Sequence, residues 1–136
     1  VNEINCYFFS EPVSPHFASE IDNRPIDIKG LKKFIRRHEE VVVELAGGLF
    51  VPIKDQYTQL DLIKETPNTA VILVIGNKLG CLNHGLMTLE ILMKSDICIS
   101  EVVVNNLGKK ATPLMENNIK TIRKWLPLNI PFKIIY

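Results

Sequence analysis

The stretch Ala70-Val71-Ile72-Leu73-Val74-Ile75-Gly76 is apolar from end to end, and nothing constrains the fold of this chain more. A strand with one wet face alternates polar and apolar residues, whereas a strand covered on both faces has no need to. Val41-Val42-Val43 and the segment Ile97 to Val104 carry the same signature. Between the second and third strands lies Asn83 to Lys94, where Leu86, Leu89, Ile91, Leu92 and Met93 recur at helical spacing and Asn83 is a candidate cap. Glu116 to Leu126 makes a further amphipathic helix ended by Pro127, and Phe132 to Ile135 a final short strand. Strands separated by helix-length segments predict an α/β fold: an open, mostly parallel sheet with flanking helices.

The earlier part of the chain reads less regularly. Cys6-Tyr7-Phe8-Phe9 is a short aromatic run expected as a strand. Ser14 is positioned to cap a helix over Pro15 to Ile21, with Pro15 in its first turn. Asp27 offers a second cap, before an apolar stripe of Ile28, Leu31, Phe34 and Ile35. Asn106 to Pro113, rich in Gly, Lys and Thr, is the one segment expected to be flexible. No linker or repeat interrupts the pattern, so residues 1–136 read as a single α/β domain.

Composition narrows the class of partner. Sixteen Lys and Arg face fifteen Asp and Glu, a net charge of +1, which argues against nucleic acid or a polybasic membrane surface. No apolar run reaches the roughly 18–20 residues of a spanning helix. Three cysteines, Cys6, Cys81 and Cys98, form no CxxC pair and leave one over in any disulfide scheme, which fits reduced thiols in the cytoplasm.

Ligands of such sheets gather at the carboxyl ends of the strands. Four places are picked out: after Val43, after Gly76, at Asn105-Asn106, and around Ile130-Pro131-Phe132. At the first, Glu44 ends an apolar strand, where a carboxylate needs a cation, a metal or hydrogen-bond donors. Mg²⁺ beside a phosphate would meet that need, with Gly47 and Gly48 admitting backbone N–H groups; a solvated strand-end Glu before a glycine turn is the other reading. At the second, Lys78 and a helix N-terminus could hold a carboxylate or phosphate, or the helix is simply capped. Cys81 and His84 lack the further ligands a metal site needs. At the third, the Asn105 amide can read a base edge or support a turn.

Taken in order, three segments go beyond a generic α/β pattern: Glu11-Pro12-Val13-Ser14-Pro15-His16, then Val42-Val43-Glu44-Leu45-Ala46-Gly47-Gly48-Leu49-Phe50-Val51-Pro52, then Val71 through Gly76-Asn77-Lys78-Leu79-Gly80-Cys81-Leu82-Asn83-His84. This succession resembles the dethiobiotin synthetase family over nearly the whole chain, with Lys78 to His84 its most specific part. The resemblance implies a partial P-loop NTPase-like fold, the C-terminal part of a longer nucleotide-binding domain. It implies an ATP- and Mg²⁺-dependent cyclo-ligase of biotin synthesis, in which 7,8-diaminopelargonate takes up CO₂ and closes to dethiobiotin. By residue, it implies Glu44 as the Mg²⁺ carboxylate and Leu45, Ala46 and Gly47 in the phosphate-side turn. Asn105 would read adenine with Asn106 beside it, and Ile130, Pro131 and Phe132 would border the base. Gly80, Cys81, Leu82 and Asn83 would receive the substrate carboxylate of the other subunit in a homodimer.

Two departures accompany the resemblance. Leu45 stands where the family pattern Glu-Gly-Ala-Gly-Gly has its first glycine, and no GxxxxGK[ST] occurs in these 136 residues. The chain taken alone is therefore expected not to turn over and to expose an associating sheet edge. The alternative is a degenerate, non-catalytic binding or dimerisation module.

Overall fold

The computed structural model describes residues 4–108 and 110–136, so Lys109, within the segment expected to be flexible, lies outside the described residues. The 136 residues, read above as one α/β domain, fall into two compact units, Val1–Pro67 and Asn68–Tyr136, each with its own core.

In the first unit, α1 (Pro15–Ile21) begins at Pro15 as expected, but the Ser14 side chain makes no capping bond. In α2 (Ile28–Arg36), Asp27 does cap, accepting from the Lys29 N–H at 3.0 Å. The stripe Ile28, Leu31 and Ile35 packs on Ile26, Ile53 and Leu62. A short antiparallel pair, β1 (Pro52–Lys54) and β2 (Tyr57–Thr58), leads into α3 (Gln59–Lys64). That helix opens on a reciprocal cap in which Thr58 and Asp61 bond each other's backbone N–H.

Two expected strands are absent here. Cys6–Phe9 joins no ladder among the described residues; Tyr7 and Phe9 stack at 5.9 Å and pack on the core, while Phe8 points outward. The β-like alternation is real, but it serves packing rather than pairing. Val41–Val43 likewise joins no ladder, and Val42 is 90% exposed. β-branched residues favour extended backbone, yet a strand exists only where a neighbouring edge takes its hydrogen bonds.

The second unit carries the parallel sheet. β3 (Val71–Gly76), β4 (Ile99–Asn105) and β5 (Phe132–Ile135) lie in the order β3-β4-β5, all parallel, with α4 (Cys81–Lys94) and α5 (Pro113–Trp125) as the intervening helices. Leu73 and Ile75 on β3 and Val102 and Val104 on β4 share one face, against which Leu89 of α4 and Ile122 of α5 pack. Central β4 is covered on both faces at Val102–Val104, as its unbroken valines suggest. Edge strand β3 is not: Ile72 and Val74 are about half exposed, so the most continuous apolar run is buried on one side only. The α4 boundary also differs. Gly80, at φ +88°, is the N-cap and Asn83 lies inside the first turn; here the chain enters the helix through a left-handed residue, a conformation glycine takes freely.

Candidate functional site

Both parallel crossovers bring their turns to one end of the second unit's sheet. Gly76 pairs with Asn105 in register, and the ladder continues one step further with the Asn77 N–H donating to Asn105 O at 2.8 Å. The Asn105 side chain supports a turn, its Oδ1 accepting from the Leu107 N–H at 2.8 Å. An amide oxygen has two lone pairs and an NH₂ group two donors, so this bond leaves capacity for a base edge. Leu107 itself sits at φ +56°, a left-handed conformation costly for a leucine.

Asn106 faces the other way. It is fully buried, its backbone N–H donates to Ile135 O at 2.8 Å, and its Oδ1 accepts from Asn77 Nδ2 at 2.7 Å. Asn77, 1% exposed, also donates to Met115 O at 3.1 Å, and its Oδ1 accepts from Asn118 Nδ2 at 2.9 Å. Asn106 Nδ2 is buried with no hydrogen-bond partner among the described residues.

The segment after β3 forms the second half of the site. A cavity of about 290 Å³ runs along β3 from Leu73 to Gly76 and along the facing side of α4, and Lys78 and Leu107 bring the turns after β3 and β4 to it. Of the four residues singled out at the α4 N-terminus, Gly80 is the cap and Cys81 is buried. Leu82 packs on the core, and Asn83 is exposed. First-turn N–H groups have no acceptor within their helix, and with exposed Lys78 nearby they make this end electropositive.

Ile130-Pro131-Phe132 does not join them. β5 runs parallel to β4 with Phe132 opposite Val102 and Ile135 opposite Asn105. Three residues of strand separate the two ends, about 10 Å at 3.3 Å per residue. The segment therefore enters β5 at the amino end of the sheet, with Pro131 O accepting from the Val102 N–H at 2.9 Å and Arg123 over the Phe132 ring at 5.6 Å. The run expected among the carboxyl ends of the strands thus lies at the opposite end, because it leads into β5 and does not leave it. Ile135 is the β5 residue beside Asn105.

In the first unit, Glu44 is exposed and follows the unpaired Val41–Val43 segment, so it is not a carboxylate at the end of a buried strand, and burial imposes no partner on it. Leu45 is half-buried in the core with Ile26, Ile53 and Leu62, and its φ is not in the left-handed region. Its side chain is thus spent on packing. Ala46 O accepts from buried Gln59 Nε2 at 2.6 Å, which fastens the turn to the start of α3. Gly47 has φ +95°, and its N–H donates to Leu45 O at 3.0 Å. Among the described residues no group of three or more His, Cys, Asp or Glu side chains is arranged to hold a metal. A single exposed carboxylate nevertheless suits Mg²⁺, which takes one or two carboxylates and fills its octahedron with waters and phosphate oxygens.

Sequence reasoning missed Asn77, Asn118 and Gln59. The signal for Asn118 was available: it shares the spacing of Met115 and Ile122, a polar residue on an apolar helical face. Nothing comparable marks Asn77, which reads as an ordinary turn residue.

A family model described as "AAA domain" matches residues 1–131 of the chain. The ATP-dependent dethiobiotin synthetase BioD of Serratia marcescens is 36% identical over 130 residues, covering 93% of this chain and 57% of that protein. The protein of the same name from Lysinibacillus sphaericus is 37% identical over 138 residues, 97% of this chain and 57% of its own. For BioD 1 of Escherichia coli the values are 34% over 136 residues, 95% and 60%. The chain thus spans about 57–60% of the length of these relatives.

Proposed function

This chain belongs to the AAA domain family, and on that premise, with its likeness to dethiobiotin synthetases, we propose that the protein closes the ureido ring of dethiobiotin at the expense of ATP. The substrate on this reading is 7,8-diaminopelargonate. One amine takes up CO₂ as a carbamate, the γ-phosphoryl group of ATP is transferred to a carbamate oxygen, and the second amine attacks the carbonyl carbon. Phosphate leaves, and the products are dethiobiotin, ADP and phosphate. The reading places the protein in the cytoplasm as a homodimer.

The observation that carries the proposal is the meeting of the turns after β3 and β4 around one cavity at the carboxyl end of a parallel sheet. Asn105 is assigned to the base. The N-terminus of α4, from Gly80 to Asn83, is assigned to the substrate carboxylate of the other subunit's site, where the positive end of the helix favours an anion. Glu44 is assigned as the carboxylate that holds Mg²⁺, and the ion supplies charge neutralisation at the transferring phosphoryl group. Ala46 and Gly47 form the phosphate-side turn, held to α3 by Gln59.

The test is growth without biotin of a bacterium deprived of its own dethiobiotin synthetase and given this protein as its gene encodes it. Dethiobiotin formation in vitro from the diamine, bicarbonate and MgATP accompanies it. Growth is expected, and Glu44→Gln should lower dethiobiotin formation on the order of a hundredfold. No growth, or formation indifferent to Glu44→Gln, overturns the assignment.

A further inference from the structure

The second unit holds a set of buried amides that neither packing nor the proposed chemistry requires. Asn77 uses both Nδ2 hydrogens, to Asn106 Oδ1 at 2.7 Å and Met115 O at 3.1 Å. Its Oδ1 accepts from Asn118 Nδ2 at 2.9 Å and lies 3.9 Å from the Cys81 thiol. Its backbone N–H holds Asn105 O at 2.8 Å. One side chain thereby spends its whole hydrogen-bonding capacity on the turn after β4, the first two turns of α5 and the first residue of α4.

Such a network is a costly way to fill space. Apolar residues of similar volume would stabilise the same core as well or better, while a partly broken amide cluster leaves buried groups unsatisfied. What the network adds is definition of geometry. The turn it grips is strained, with Leu107 at φ +56°, and strain of that kind persists only where the surroundings over-determine it. Asn77 holds Asn105 itself, whose carbonyl accepts from the Asn77 N–H, and the residue after it, through the Asn106 side chain.

We propose that Asn77 is a positioning residue for nucleotide-base recognition: its amide, locked between Asn106 and Asn118, fixes the turn from which Asn105 reads the base. This rests on the assignment of Asn105 made above. Asn106, fully buried, acts here through the turn and not by side-chain contact with the nucleotide.

The experiment compares kcat/KM for ATP, GTP and CTP, which differ in the base, in the wild-type protein as its gene encodes it and in Asn77→Leu. The wild type is expected to discriminate among the three. In Asn77→Leu the ratio should fall toward one and KM for ATP should rise about ten- to a hundredfold, as a misplacement of about 1 Å costs on the order of a hundredfold. KM for the diamine should move less than about twofold, because the change is confined to the base end. A merely structural role lowers all activities together and leaves the ratio intact; that result overturns the inference. If Asn77→Leu does not fold, Asn118→Leu, which removes one donor from Asn77 Oδ1, is judged by the same ratio and decides. A wild type indifferent to the base overturns the reading of Asn105 and this inference with it. A discriminating wild type whose variants keep the ratio overturns the inference alone.

Discussion

A Cβ atom placed on Gly85 would stand 2.7 Å from Ile75 Cδ1, 3.3 Å from Cγ1 and 3.4 Å from Cγ2. Glycine within a helix costs about 1 kcal/mol relative to alanine, so its place in the middle of α4 has a packing reason: the helix lies directly on β3. Ile75 is buried and β-branched, and cannot turn aside freely. Gly85→Ala is expected to destabilise the protein by about 1 kcal/mol despite its better helix propensity. In an Ile75→Val background, which removes Cδ1, the same change should become neutral or stabilising, a coupling of about 1–2 kcal/mol. Urea denaturation of the four proteins measures it.

The elements best legible in the sequence are those whose signals are local. Pro15 starts α1, Asp27 caps α2, and Phe132–Ile135 forms β5 between the bounds expected of it. Where a boundary depends on backbone conformation instead of residue chemistry, the reading slips: Asn83 looks like a cap, but Gly80 at φ +88° is one. Val41–Val43 failed for a different reason. Local preference for extended backbone says nothing of whether a partner edge is present, and among the described residues no ladder includes these valines. Ile130–Phe132 failed on direction, since the sequence names a strand's neighbours but only the register with β4 tells which end of the sheet they occupy. Asn105 was found because it closes a strand. Asn77 was not, because its importance lies in residues 29 and 41 positions away.

The cap of α3 gives a pH dependence with a definite sign. The Asp61 carboxylate accepts from Thr58 Oγ1 at 2.6 Å and the Thr58 N–H at 2.8 Å, and these bonds, the hydroxyl's first, hold its pKa below the ordinary 3.8. The unfolded chain therefore binds more protons between the lowered value and 3.8, and stability rises with pH through that window. The contribution is complete above it and disappears as pH falls through the folded-state value. Asp61→Asn should cost about 1 kcal/mol at neutral pH, and the gap from wild type should close in acid. Denaturant midpoints from neutral pH down to the acid limit read this directly; a gap constant with pH would contradict the ionic cap.

Gly47 is the one residue of the 44–48 segment whose conformation only glycine takes without strain. Its φ of +95° is compounded by Val51, whose Cγ2 would lie 3.0 Å from an added Cβ. Gly47→Ala should lose about 1–2 kcal/mol. The neighbouring Gly48→Ala, where nothing lies within 4 Å, should change stability by less than about 0.5 kcal/mol. Equal losses at the two positions would mean that the turn is held in another way.

The three thiols should separate by reactivity. Cys98 is exposed, Cys6 half-buried, and Cys81 is 3% exposed at the start of α4, packed among Ile75, Leu89 and Val104. A thiol reagent reaches Cys81 only when the N-terminal turn of α4 opens, and that opening uncovers part of the second unit's core. In native buffer Cys98 should label first, and Cys98→Ser should abolish the fastest phase. Cys81 should react at least about a hundredfold more slowly, the protection that an opening cost of about 3 kcal/mol confers. Asn118→Leu should shorten that interval, since it withdraws a hydrogen bond from Asn77, whose Oδ1 faces the Cys81 thiol. Labelling of Cys81 as fast as Cys98 would mean that the α4 N-terminus is open in the native protein, and with it the cavity that Cys81 lines.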